Sequence, residues 1–323
     1  MNKWLNELKY NPIHPLLESN SRAIILSTQR ALLDKTAPVE DLWQSPEPQR
    51  ILRKQRIDGS WLYPGGKENI RTQENYNQLE TYRNLGILVE EFGFNKKHPA
   101  IQKTAKYLFT FQTNDGDFRG IYSNQYSPNY SAGIMELLIK AGYENDACIE
   151  RAFKWLHSMR QKDGGWAIPF RTQNHKIDVI AACSKTIEPD ISKPFSHMVT
   201  GIVLRAFAAH PAYRQSKEAH QAGELLLSNL FKKDNYPDRS APAYWLRFSF
   251  PFWFTDLISA LDSLSQLGFS REEPQIDKAL KWFARNQQEN GLWELKILKG
   301  QNKDVLQLWL ALAICRIFKK LYG

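Results

Sequence analysis

The chain has 323 residues, 42% of them apolar, including 10 Trp, 13 Tyr and 17 Phe, which is enough for a large core rich in aromatic rings. Its net charge of +9 is spread along the sequence beside acidic residues, and without a basic block it excludes a nucleic-acid footprint. That positive balance still allows peripheral contact with an acidic membrane surface. The opening MNKWLNELKYNP has no apolar leader run, and no stretch reaches the length of a membrane span. Cys148, Cys183 and Cys315 are scattered, odd in number and outside any CxxC spacing, so reduced thiols and a cytoplasmic location are expected.

Taken in order, the elements alternate between two kinds of helix. A first apolar helix is expected within SNSRAIILSTQRALLD (19–34), followed by RILRKQRIDGSW (50–61), which ends in a glycine turn and an indole. An apolar helix at 75–92 leads into GFNKKHPAIQKTAKYLFTFQTNDGDF (93–118). Another at 129–141 leads into GYENDACIERAFKWLHSMRQKDGGW (142–166). After a long aperiodic loop (168–196) comes an apolar helix at 195–210 and then a weak copy, LLLSNLFKKDNYP (225–237). A loop dense in aromatics, YPDRSAPAYWLRFSFPFWF (236–254), precedes the helix expected at 252–267. Last come GFSREEPQIDKALKWFARNQQENGLW (268–293) and a closing helix at 304–321.

The three longest copies superpose residue by residue: Gly-aromatic at the start, Ile101, Ile149 or Ile276, then Lys106, Lys154 or Lys281, and finally Phe118, Trp166 or Trp293. Self-similarity on this scale marks a repeat architecture. The glycine turn lets the chain leave an amphipathic outer helix and pass inward, and the aromatic beyond it pins the junction together with Gln55, Gln112 or Gln287. Burying one such Trp is worth roughly 3–5 kcal/mol. About six apolar helices with outer helices between them are expected to close into a ring. The expected plan is one domain over 1–323, with N-terminal helices at 1–49, repeats at 50–293 and the closing helix at 304–321.

These endings resemble the QW repeats (Gln, spacer, Asp-Gly-x-Trp) of the prenyltransferase and squalene cyclase repeat proteins, within the terpenoid cyclase and protein prenyltransferase superfamily. One copy departs from the pattern, with Arg160 at the Gln position and Gln161 displaced by one. The resemblance implies an all-α, α/α toroid of inner and outer helices around a cavity that in related enzymes holds an isoprenoid chain. Its chemistry transfers less readily. The Asp-x-Asp-Asp acid of class II cyclases is missing, and EPD at 188–190 is a poor imitation. The zinc His of the prenyltransferase β subunit would fall at His197, but Ser127 and Asn129 stand where Asp and Cys are needed, so neither metal nor other cofactor is expected.

In a closed ring the first turns of the inner helices converge on one mouth, where free N–H groups favour negative charge. Candidates there are Tyr76, Asn77, Glu80, Asn129, Tyr130, His197, Trp253, Asp256, Asp304 and Gln307. His197, Asp256 and Glu80 are the expected proton-transfer machinery, a carboxylate holding an imidazole. Tyr76, Asn129, Tyr130, Arg247, Trp253 and Trp309 are the expected ligand contacts, aromatic faces around a polar end. Each has a plainer role open to it: Asp256 as a helix cap, Glu80 as the partner of Arg83, His197 as a structural imidazole, the aromatic loop as a plug. The readings left open are an enzyme-like toroid for an apolar, isoprenoid-type ligand, a non-catalytic binding or interaction toroid, and a carbohydrate-processing toroid using paired acids. The sequence does not indicate an oligomeric state.

Overall fold

The structure, a computed structural model, describes residues 3–65, 73–180, 183–298 and 302–323. It is helical throughout, with isolated bridges and no strand among the described residues. Six helices form an inner layer: α2 (Arg22–Leu33), α4 (Gln73–Glu90), α6 (Pro128–Leu138), α10 (His197–Ala209), α12 (Leu257–Gln266) and α14 (Lys303–Tyr322). In space α4, α6, α10, α12, α14 and α2 follow one another as packed neighbours. The outer layer holds α1 (Ile13–Leu17), α3 (Pro46–Leu52), α5 (Pro99–Phe109), α7 (Ala147–Ser158), α11 (Lys217–Ser228) and α13 (Pro274–Arg285). Two short helices, α8 (Pro169–Thr172) and α9 (Ile177–Ile180), lie in the long loop. No described helix is long and apolar enough to cross a membrane.

The two layers differ as their sequences require. Every residue of α6 except Tyr130, and every residue of α10 except Ala209, is buried. The outer helices bury a single stripe in one repeated phase: Ile101, Thr104, Ala105 and Leu108; Ile149, Ala152, Phe153 and Leu156; Ile276, Ala279, Leu280 and Phe283. That is the i, i+3, i+4, i+7 pattern of a helix packed on one side. Gly93, Gly142 and Gly268, which open the three long copies, all have positive φ and close the helix before them. One boundary differs from expectation. The helix expected from Phe252 begins at Leu257, because Asp256 takes the cap position in a reciprocal capping box with Ser259 and leaves 252–256 extended.

The repeated endings are latches built from up to four kinds of bond. At the turn, Gln55, Gln112 and Gln287 each donate from Nε2 to the glycine carbonyl four residues on, at 3.2, 2.9 and 2.9 Å. The same nitrogen donates to the next outer segment, at Ala100 O, Cys148 O and Tyr10 O. The indoles of Trp61, Trp166 and Trp293 donate back to Ile51 O, Leu156 O and Phe283 O, each ten residues earlier. The backbone N–H groups of Trp61, Phe118 and Trp166 donate to Thr81, Ser131 and Thr200 on the following inner helix. Arg160 fills the departing position in kind: its Nε donates to Gly164 O at 2.9 Å and its Nη2 to Gln221 of the next outer helix. Gly59 and Gly116 show why the turn needs glycine, since a Cβ there would lie 2.4 Å from Lys103 O and 2.6 Å from Arg151 O, at φ of +90° and +112°.

The last latch closes the circle. Gln287 exchanges two bonds with Tyr10, donating to its carbonyl at 2.9 Å and accepting from its N–H at 3.0 Å. Lys319 on α14 reaches Ala31 O and Asp34 at the end of α2, and Trp43 packs tilted against Phe94 after α4 at 5.2 Å. The fold is an α/α toroid. Within it Glu136 of α6 and Arg205 of α10 pair at 2.8 Å, and Lys140 bridges Glu136 and Glu90. Burial alone would raise the Glu136 carboxyl, but Arg205 and Lys140 outweigh it and hold it below its ordinary range. Burial has the upper hand at Asp256, pushing it up to about 7 against hydrogen bonds from Ser259 and Ser249.

Two measurements test this account. Gln287→Ala strips the Tyr10 N–H and two carbonyls of their partner, so it is expected to lower the unfolding free energy by about 2–4 kcal/mol in urea. It should also make residues 3–17 the first site of proteolysis, and a loss below about 0.5 kcal/mol would refute the closing role. Asp256 is raised from an ordinary 3.8 to about 7, so the stability it contributes is full below pH 3.8 and lost as pH rises through 7. Asp256→Asn keeps a cap acceptor. It should flatten the stability–pH curve between these values by up to about 1.4 kcal/mol per pH unit, and an unchanged slope would overturn the assignment.

Candidate functional site

The second and third turns of α4 and the N-terminal halves of α6 and α10 border a cavity of about 530 Å³. Leu79, Tyr82 and Arg83 face it from α4, Asn129 and Tyr130 from α6, and Met198 and Ile202 from α10. Tyr122 precedes α6, Trp253 and Phe254 precede α12, and Pro237, Asp238, Arg239 and Tyr244 complete the lining. The rings brace one another edge to face: Tyr82 on Trp253 at 5.3 Å, Tyr82 on Tyr130 at 6.2 Å and Tyr122 on Tyr130 at 5.0 Å. Trp253 can sit there because α4 carries Gly86, where a Cβ would come within 2.5 Å of its ring.

The segment 237–244 belongs to the weak fifth repeat. In the other latches the aromatic follows the turn glycine by two residues, whereas here the indole is Trp245, which donates to Lys232 O at 2.9 Å. The residues in between form a loop over the cavity mouth. Arg171 holds this loop by a bidentate pair with Asp238, at 2.6 and 2.7 Å. Asp234 anchors its start, accepting from Ser196 Oγ and Met198 N at 2.9 Å each.

Polar groups in the lining are unequally satisfied. Asn129 is 8% exposed and its Oδ1 has no partner, while its Nδ2 stands 3.4 Å from the Tyr122 hydroxyl. Burial drives the Tyr82 and Tyr122 hydroxyls well above the ordinary phenol range, so both stay neutral donors. Arg83 makes one long contact with Glu80, at 3.4 Å. Arg239 lies over the Phe254 ring at 3.5 Å, and burial lowers its guanidinium from the ordinary value. Below the cavity, Arg205 donates to Phe254 O and leaves one Nη without a partner.

Of the expected ligand contacts, Asn129, Tyr130 and Trp253 line this cavity. Tyr76 instead packs edge-on against Tyr63 at 4.9 Å, and Arg247 is exposed, over the Tyr244 ring. Trp309 stacks on Phe250 at 5.1 Å and borders a second cavity of about 460 Å³, between α2, α3, α4 and α14. The expected proton-transfer residues have separate partners: His197 with Asp234 at 3.5 Å and Trp245 at 4.6 Å, Asp256 with Ser259 and Ser249, and Glu80 with Arg83 and Asn84. Burial lowers the His197 imidazole, with Asp234 opposing. Among the described residues no hydrogen bond or ion pair joins the three, and none of them lines the cavity. Sequence reading missed Tyr82, Arg83, Tyr122, Asp238 and Arg239; the signal for the last two was the excess of residues before Trp245. Among the described residues no three of His, Cys, Asp and Glu come together as a metal site would require.

Comparison with known proteins follows the repeat. The Squalene-hopene cyclase C-terminal domain family matches residues 80–176 and 122–305, two overlapping registers that together cover most of the chain. A squalene–hopene cyclase of Bradyrhizobium diazoefficiens is 24% identical over 200 residues, covering 53% of this chain and 26% of that relative. The match thus spans about a quarter of the relative's length. Two variant structures of the type II terpene cyclase MstE from Scytonema, each in complex with geranylgeranyl dihydroxybenzoate, are similar at low identity. One has a TM-score of 0.44 at 13% identity, covering 92% of this chain and 86% of that one. The other has a TM-score of 0.41 at 12% identity, covering 88% and 98%. By the extent of the family match, the chain belongs to the squalene–hopene cyclase C-terminal domain family, within the terpenoid cyclase superfamily.

Proposed function

We propose that this chain, acting as one domain over 1–323, binds an isoprenoid or similar long apolar molecule in the cavity at the mouth of its ring. The observation that carries the reading is the lining itself: Tyr82, Tyr122, Tyr130, Tyr244, Trp253 and Phe254 surround about 530 Å³. That volume lies in the range of roughly 300–1,000 Å³ typical of small-molecule sites. Aromatic faces bury apolar chain and tolerate positive charge, as Arg239 over Phe254 already demonstrates. Family membership supports the same ligand class, since its relative is named for squalene. The cysteine usage supports a cytoplasmic setting.

Transformation of the ligand is the finer reading, and Asp256 is the proposed acid. Its carboxyl, at about 7, is half protonated near neutral pH and lies two residues along the chain from the cavity-lining Phe254. Glu80 and His197 are proposed to support that site through α4 and α10. One observation favours the alternative, a toroid that binds without reacting. The single acidic residue among the described lining, Asp238, is fully engaged by Arg171. Hydrolysis of a carbohydrate needs two carboxyl groups facing the substrate, so the lining speaks against it.

Farnesol, geranylgeraniol and squalene presented to the detergent-free protein in a thermal-shift or native mass experiment should include at least one that binds. Trp253→Ala removes a wall of the site and should weaken that binding by about 10-fold or more. Silence from the whole panel would end the proposal. Extraction and gas chromatography after incubation then separates the two forms of the reading. A cyclised product lost in Asp256→Asn supports catalysis, and recovery of unchanged ligand supports binding alone.

A further inference from the structure

Resting on the proposed apolar site, we propose that its ligand ends in an oxyanion, a carboxylate or a phosphate, taken by Arg239 and Arg83. Both residues line the cavity. The one carboxylate beside them, Asp238, gives both its oxygens to Arg171 outside the lining. Arg239 has no carboxylate within 4.0 Å among the described residues; the ring faces of Phe254 and Tyr244 lie against it, at 3.5 and 5.9 Å, and Tyr130, Tyr122 and Asp238 act on it from farther off. Arg83 holds Glu80 by a single 3.4 Å contact. A partly buried cation without a counter-ion gives up hydration and receives little in return from a ring face. An anion arriving in the cavity restores that loss through charge-assisted hydrogen bonds.

The placement of Arg239 points the same way. It sits on the extra loop of the fifth repeat, the one copy in which turn and indole are held apart, and its backbone has φ of +55°. Non-glycine residues keep that conformation only where the surroundings enforce it, and here the Arg171–Asp238 pair does so one residue away. Asn129 adds a third donor. A half-turn of its carboxamide lets Oδ1 accept from the Tyr122 hydroxyl and sends Nδ2 into the cavity, which relieves the orphaned Oδ1. Charged head and apolar tail then divide the site between the loop side and the rings of Tyr82, Tyr130 and Trp253. Squalene, a hydrocarbon, has no such head.

The test uses the whole chain and one tail with three heads: farnesol, farnesoic acid and farnesyl monophosphate, titrated by tryptophan fluorescence at low and high salt. At least one acid is expected to bind ~10-fold or more tighter than farnesol at low salt, with the advantage shrinking as salt rises. The two acids tell carboxylate from phosphate. Arg239→Gln should collapse the acid-to-alcohol ratio towards 1, and Arg239→Lys should restore part of it; Arg83→Gln is the second variant should the first misfold. Farnesol binding as tightly as both acids, or a ratio untouched by Arg239→Gln and Arg83→Gln, would overturn the head-group assignment while leaving the apolar site intact. Silence from all three ligands would overturn both.

Discussion

The structure depends on one pattern of hydrogen bonds, made by the side-chain nitrogens of Gln55, Gln112 and Gln287 after α3, α5 and α13. Each nitrogen reaches two carbonyls at once, one in its own glycine turn and one in the next outer segment. One nitrogen thereby ties two segments together through their backbone, and at Gln55 the Thr104 hydroxyl reinforces both carbonyls. A tight turn is needed to bring them within reach, and glycine supplies it by tolerating positive φ and the close approach of neighbouring backbone. The indole behind the turn covers these bonds and ties its own N–H to the helix it has just left. Each latch thus joins one outer segment to the next, and the last of them returns to the start of the circle at Tyr10.

Closure decides where function can reside. Inner helices bound on all sides are apolar, so polar and aromatic chemistry collects where the starts of α6 and α10 and the middle of α4 open on the cavity. The centre of the ring is not left empty. Phe250 stacks on Trp309 and Phe252 is buried, while the next two residues of the same run, Trp253 and Phe254, turn toward the cavity. The aromatic loop is therefore plug and lining together. Beneath it the Glu136–Arg205 pair holds α6 to α10 and supports the backbone at Phe254 through the Arg205 guanidinium.

Much of this was legible in the sequence, because repetition converts weak local signals into a strong one. The inner and outer helices, the latches and the family resemblance could be read from Gly, Trp and spacing alone. The displaced Gln161 looked like a lapse, yet Arg160 makes the same two connections with a longer arm, and Gln161 serves the long loop by bonding Asp190 O and Lys193 O. The candidate site was read only in part. Asn129, Tyr130 and Trp253 followed from the convergence of helix starts. Asp256 was legible as a cap and as a possible acid, two roles that spacing cannot separate. Tyr76 and Trp309 lie at the correct ends of inner helices but turn to other neighbours, a matter of rotation that short apolar stretches do not encode. Asp238 and Arg239 escaped notice because Trp245, thirteen residues after the carbonyl it bonds where the other indoles stand ten after theirs, was read as part of an aromatic loop and not as a latch.

The bond between Gln287 and Tyr10 has a consequence for how the molecule is made. Each earlier fastening joins a segment to one that emerges from the ribosome shortly after it, and can form as synthesis proceeds. The final one cannot, since its two halves are separated by almost the whole polypeptide. The nascent product must therefore pass through a stage shaped like an open letter C, its first segment unattached and its seam facing solvent, until the last turn appears and catches it.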